Sequence, residues 1–251
     1  MILHFGSFSW PITAGSVEPL KKLYDTWGER VHLVDVVFRQ AHPGPALPPY
    51  RSFAHKMRDT EAFKHEDGIP YTMLVDDLPG TVHQVYGGLP DPTHVIDAEG
   101  RVSFYNMWTH APTLYEAIEA LFEQGGRGTV LGGYDRTPPL LATIADGWKG
   151  LRRGWPQSVI ELEASASGMA SGPWLGHQLR PLLAPLALRS KPLPAAAKMG
   201  LAVGAVALLL FGVRCLVRSG LRKAREDGRA DEHHGQAIQS LGRDEESCVP
   251  R

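Results

Sequence analysis

Phe5-Gly6-Ser7-Phe8-Ser9-Trp10-Pro11 is the stretch of this 251-residue chain whose residue types and spacing point to chemistry. A short apolar opening, Ile2-Leu3-His4-Phe5, runs through Gly-Ser into a proline placed to open a helix. A helix N-terminus presents unpaired N–H groups and the positive end of the helix dipole, which lower a cysteine's pKa and stabilise its thiolate. Such a corner suits sulfur or selenium chemistry, and the position that would carry the reacting atom holds Trp10. Indole has an N–H donor and no ionisable chalcogen, so it forms no thiol-type covalent intermediate. Ser9, beside it, would need a general base within hydrogen-bond reach, and its alkoxide cannot cycle through oxidation. The two cysteines, Cys215 and Cys248, lie more than 200 residues away. No disulfide framework, CxxC pair or cysteine-based zinc site therefore precedes residue 215.

Other candidate groups are fewer. His42, His55 and His65 are spaced by 13 and 10 residues, which matches no helical ligand pair, so no metal is expected, and no cofactor motif is present. His42, with Gln40 just before it, follows the C-terminal end of a strand pattern, where α/β folds place their sites; a solvated loop histidine is the alternative. Pro92 leads into a strand. Trp27 and Phe53 read as core.

The elements that must position these residues follow from periodicity. Ile2–Phe5 reads as a strand. Ser16 to Trp27 has a helical pattern, with Ser16 as its expected cap and Gly28 as its stop. Val31 to Phe38 is β-branched and nearly continuous in apolar character, as a central strand is. Gln40 to Tyr50 holds four prolines in eleven residues and is a loop. Ser52 to Glu66 is expected as a helix with Phe53, Met57 and Phe63 inward. A strand at Tyr71 to Val75, a short helix at Gly80 to Tyr86, a strand into Val95-Ile96, a turn at Asp97–Gly100, a returning strand at Arg101 to Tyr105 and a helix at Thr113 to Phe122 complete the pattern. The order β-α-β-α-β-α-β-β-α implies parallel strands closed by an antiparallel hairpin, a mixed sheet with helices on both faces: an α/β, thioredoxin-like fold over residues 1–126.

Residues 127–198 change character, with eight prolines and short apolar patches at Leu140–Ala145, Val159–Leu162 and Leu182–Leu188. They read as short helices and connector, lying on a membrane or on the first domain, or else as a poorly ordered linker. Met199 to Val213 has 15 uncharged residues and reaches 19 through Val217 if Arg214 snorkels, so 199–217 is expected to be a single transmembrane helix. The charged tail, 218–251, is expected to be disordered.

Charge separates the halves. Residues 1–126 carry 9 Lys and Arg against 16 Asp and Glu; residues 127–251 carry 17 against 11. The overall net charge of −1 argues against a nucleic-acid partner, and a basic half beside an apolar run suggests an anionic membrane surface. Arginines and lysines flanking the run place the tail on the cytoplasmic side, which would send the first domain outside. Met1-Ile2-Leu3-His4 does not read as a signal peptide, however, and the two signals conflict. A cytoplasmic domain is the expectation retained.

The motifs resemble those of the iodothyronine deiodinases and their redoxin-like relatives. Phe5 to Pro11 is similar to that family's Phe-Gly-Ser-Cys/Phe-Thr-Sec/Cys-Pro. Gln40-Ala41-His42-Pro43 resembles its Glu-Ala-His-Pro, and Leu74-Val75-Asp76-Asp77 its Val-Val-Asp. Tyr86, Leu89-Pro90 and Val95-Ile96 match a later block. The resemblance spans about residues 2–124. It implies a thioredoxin-fold oxidoreductase in which a thiol or selenol attacks an iodine atom or oxidised substrate and a thiol reductant or redox partner resolves the intermediate. On that resemblance Trp10 occupies the nucleophile position, Ser9 the family's Thr, Gln40 its Glu, His42 the histidine facing the site, and Pro92 the proline opposite the nucleophile. That proline is commonly cis in thioredoxin folds, so the Asp91–Pro92 bond is a candidate cis peptide, with an ordinary trans proline as the alternative. Three accounts of Trp10 remain: a true replacement that leaves an inactive binding or scaffold module, a UGA codon read as selenocysteine, or a variant of a cysteine enzyme.

Overall fold

The computed structural model describes residues 1–130, 132–200, 204 and 214. It forms two units, Met1–Pro192 and Leu193–Arg251, and every element named below belongs to the first. The expected span 199–217 lies outside the described residues except for Met199, Gly200, Gly204 and Arg214, and the tail 218–251 lies wholly outside them. Among the described residues no helix is long and apolar enough to cross a membrane.

The first strand, β1 (Ile2–Gly6), feeds α1 (Pro11–Trp27), which is followed by β2 (Leu33–Val37), α2 (Phe53–Glu66), β3 (Thr72–Val75) and α3 (Thr81–Val85). A hairpin of β4 (Thr93–Ile96) and β5 (Val102–Asn106) precedes α4 (Ala111–Glu123). The sheet order is β3-β2-β1-β4-β5-β6, with β6 at Tyr134–Asp135. Strands β1, β2 and β3 run parallel, and β4 pairs antiparallel with both β1 and β5. This mixed sheet is the thioredoxin-like arrangement that the element order predicts.

Alternation along the strands divides the core. Ile2, Leu33, Val37, Val95 and Phe104 face the cluster built from Val17, Leu20 and Leu23 of α1, Phe63 of α2, and Leu114 and Ile118 of α4. Leu3, Phe5, Val36, Phe38 and Ile96 face the other way, against Tyr86 just after α3. Burying such side chains contributes roughly 1.5–3 kcal/mol each before chain entropy is counted.

Several expectations need correction. Helix α1 begins five residues before Ser16: Pro11 sits in the first turn and Trp10, in extended conformation, is the cap. Ser16 is buried inside the helix, its hydroxyl donating to the Ile12 and Thr109 carbonyls. The weak helix formers Thr13 and Gly15 hold helical form on a buried stretch of α1. Ser52 does cap α2, accepting from the His55 N–H. The inward face of α2, however, is Lys56, Thr60 and Phe63, while Phe53 is 50% exposed and Met57 lies at the surface. The helix turns Lys56 inward because its ammonium finds the carbonyls of Phe38, at 2.6 Å, and Asp77, at 2.9 Å.

The first unit does not stop at residue 126. It continues through α5 (Leu140–Arg153), α6 (Gln157–Ser165), α7 (Ser171–Gln178) and α8 (Arg180–Ala187). Helix α5 lies along α1 in the opposite direction, and glycines set the spacing. A Cβ on Gly150 would fall 2.8 Å from the Trp10 carbonyl oxygen, one on Gly147 3.0 Å from that of Pro11, and one on Gly15 2.8 Å from the Ala142 backbone. The glycines of this segment are what let the two backbones touch.

Candidate functional site

The site is the corner between β1 and α1. Trp10 caps α1, with its N–H donating to the Ser7 carbonyl at 3.2 Å and its own carbonyl accepting from Ala14 at 3.0 Å. The half-buried indole stacks on the His42 imidazole, centroids 5.2 Å apart and planes inclined by 24°. The indole Nε1 is buried without a partner among the described residues. His42 Nδ1 lies 3.6 Å from Glu161 Oε2 of α6.

Ser9 is fully buried and wired into the second loop. Its Oγ donates to Gln40 Oε1 at 3.2 Å and accepts from the N–H groups of Ala41, at 3.2 Å, and His42, at 3.3 Å. Gln40 Nε2 donates to Asp59 Oδ2, which also faces His55 Nε2 at 3.4 Å. The Ser9 hydroxyl thus spends its proton on an amide and has no imidazole in reach. This geometry locks one loop to the other and does not activate a nucleophile.

Four of the sequence-derived residues, Ser9, Trp10, Gln40 and His42, therefore come together. Pro92 joins them less directly. Its carbonyl accepts from the Phe5 N–H at 3.0 Å, which ties it to the β1 strand leading into the corner. The Asp91–Pro92 bond is trans, contrary to the cis candidate; the cis bond among the described residues is Trp155–Pro156. The trans form suits the extended path that Asp91 follows, bridged to Trp108 while its carboxylate is held from α1.

Beneath the corner lies a polar cluster that the sequence reading missed. His4 and Asp35 are register partners of β1 and β2, with His4 Nδ1 3.2 Å from Asp35 Oδ1. His4 Nε2 is 3.5 Å from Asp91 Oδ1, to which Thr13 Oγ1 donates at 2.5 Å. All four residues are buried. Burial alone would drive the His4 pKa down, but the carboxylates of Asp35 and Asp91 outweigh it and raise it to about 10. Burial pushes the Asp91 carboxyl up, against the pull of His4 and Thr13. Lone polar residues inside two apolar strand patterns were the available signal, and register was what made them partners.

The corner is also covered. At the end of α5, Arg153 Nη1 donates to the Phe8 carbonyl at 3.0 Å and Nη2 to Asp67 Oδ1 at 2.8 Å, with the guanidinium 4.1 Å from the Phe8 ring centroid. Gly154 abuts the His42 carbonyl so closely that a Cβ there would clash. With α5 over its backbone and α6 beside His42, this helix start is a packed joint.

No family model matches the chain, and no curated protein matches it. Among solved structures it is similar to the crystal structure of a provisionally assigned thiol:disulfide interchange protein, DsbE, from Chlorobium tepidum. The two are 17% identical over 50% of this chain and 79% of that one, with a TM-score of 0.38.

Proposed function

We propose that this protein is a thioredoxin-fold module related to thiol and selenol oxidoreductases in which the redox corner has become structural, leaving a binding or scaffold role without turnover. The observation that carries this reading is Trp10 itself: the helix-capping position holds an indole stacked on His42 under the backbone of α5. A thiolate there would gain from the dipole of a 17-residue helix, whereas the indole makes no use of it. The finer kinship, with the iodothyronine deiodinases, rests on the motifs around Trp10, Gln40, His42 and Asp76. Attachment to a membrane through 199–217 rests on the apolar run and its basic flanks.

A second reading, an oxidoreductase with cysteine or selenocysteine at position 10, is favoured by the intact scaffold around that position: a helix start, a buried Ser9 and a facing His42. One experiment separates the two. The full chain, with Trp10 verified by mass spectrometry, is assayed beside Trp10→Cys for peroxide and iodothyronine turnover with dithiothreitol. The proposal expects the unmodified chain to stay at the reagent background. Turnover proportional to the unmodified protein would overturn it.

A further inference from the structure

At the Pro19 end of the α1–α5 contact lies a cavity of about 170 Å³ lined by residues of α1, α4, α5 and α8. Its walls are apolar: Pro19 of α1, Pro112 of α4, Pro139 and Leu140 at the start of α5, and Leu186 and Ala187 of α8. A cavity of about 150 Å³ accommodates a benzene-sized body. This one also has a cationic edge, because Arg189 lines it and no acidic residue does; His110 lines it too, with its pKa lowered by burial.

Arg189 is half-buried and forms no salt bridge among the described residues. Its guanidinium is held in place by two carbonyls: Nε donates to Leu186 at 2.7 Å and Nη1 to Lys191 at 3.1 Å. Remaining N–H donors are left for another acceptor. The neighbouring carboxylate, Asp135, is engaged by Asn106 Nδ2 and Thr137 Oγ1, each at 2.7 Å. Two helices also begin at the cavity wall. Neither α4 nor α5 has a capping side chain or an acid in its first turn, although the Asp135 carboxylate acts on His110, the cap of α4.

We propose that this cavity binds a small organic monocarboxylate, its apolar body among the prolines and leucines and its carboxylate on Arg189 at the starts of α4 and α5. The chemistry selects against the alternatives. A neutral apolar guest leaves the guanidinium without an acceptor. A phosphate dianion would bring a strongly hydrated charge against apolar walls with one guanidinium to meet it. Planar carboxylate against planar guanidinium is the pairing that uses both features. The site is independent of Trp10 and does not rest on the reading of that corner.

The test is calorimetric titration of the full chain with benzoate and isovalerate, with benzyl alcohol as the uncharged analogue and inorganic phosphate as competitor. Saturable one-to-one binding of a carboxylate is expected, at least about tenfold tighter than the alcohol. Tighter benzoate assigns an aromatic ligand and tighter isovalerate a branched aliphatic one. Arg189→Gln should bring carboxylate affinity down to that of the alcohol, and Ala187→Leu should abolish binding of both. No saturable carboxylate binding by the unmodified chain, equal affinity for the alcohol, displacement by phosphate, or undiminished binding in Arg189→Gln would each overturn the proposal. If Arg189→Gln fails to fold, the comparison of acid with alcohol on the unmodified chain decides.

Discussion

The two ends of the α1–α5 contact are finished in opposite ways. At the Trp10 end, Gly147, Gly150 and Gly154 let α5 lie on the backbone of the corner, and an indole, an imidazole and a guanidinium fill what space remains. At the Pro19 end, past the contact of Gly15 with the Ala142 backbone, side chains of α1, α4, α5 and α8 leave a gap unfilled, and a cation is left facing it. The end that a reader of the sequence would select for chemistry is the closed one. The open end carries no motif at all. Side-chain volume at the helix contact, more than the identity of a loop, decides where this fold can receive a ligand.

The contrast can be broken most severely at Gly150. Valine there would press on the Trp10 carbonyl and on the Ala14 methyl, and neither can recede without moving α1. Gly150→Val should destabilise the first unit by about 3 kcal/mol, read from urea midpoints. A loss below about 1 kcal/mol would mean that α5 does not sit on the corner as described.

A smaller effect should come from the charge buried under the corner. His4 holds its proton to about pH 10 in the folded protein, against 6.5 when free. The stabilisation is therefore complete below pH 6.5 and is lost as pH rises towards 10. Unfolding midpoints should fall across that window, and Asp35→Asn should reduce the fall by removing one of the two carboxylates that face the imidazole. A flat profile in the unmodified chain would sink the assignment of an imidazolium there.

The smallest effect belongs to the open end. Arg189 contacts two carbonyls and no carboxylate, so Arg189→Gln should change stability by no more than about 0.5 kcal/mol. A large loss would show that the guanidinium is a structural strut, sharpening the comparison in the opposite sense.

Much of the sheet could be read directly from the chain, because periods of two and 3.6 are imposed by which side chains must be buried. The Asp97–Gly100 turn is a local signal and joins β4 to β5 as read. The cap of α1 was misplaced at Ser16, although Pro11 marked the helix start, because the burial of Thr13 to Ser16 against neighbouring elements leaves no local trace. Phe53 faces solvent because Lys56 found two carbonyls, a tertiary event with no local trace. His4 and Asp35 became partners through strand register, which single residues do not announce. Ser9, Trp10, Gln40 and His42 could be grouped from motif order alone. Arg189 read as one of several basic residues beside an apolar run, and only the packing of α8 shows that it faces a cavity.

The central claim is that Trp10 is a packing element of a closed joint. Its most direct test is the urea unfolding midpoint of Trp10→Ala against the unmodified full chain. Loss of the half-buried indole and of its stack on His42 should lower stability by about 2 kcal/mol. A variant as stable as the unmodified chain, or more stable, would contradict the account, because residues kept at a site for chemistry rather than packing are commonly those whose removal stabilises the fold.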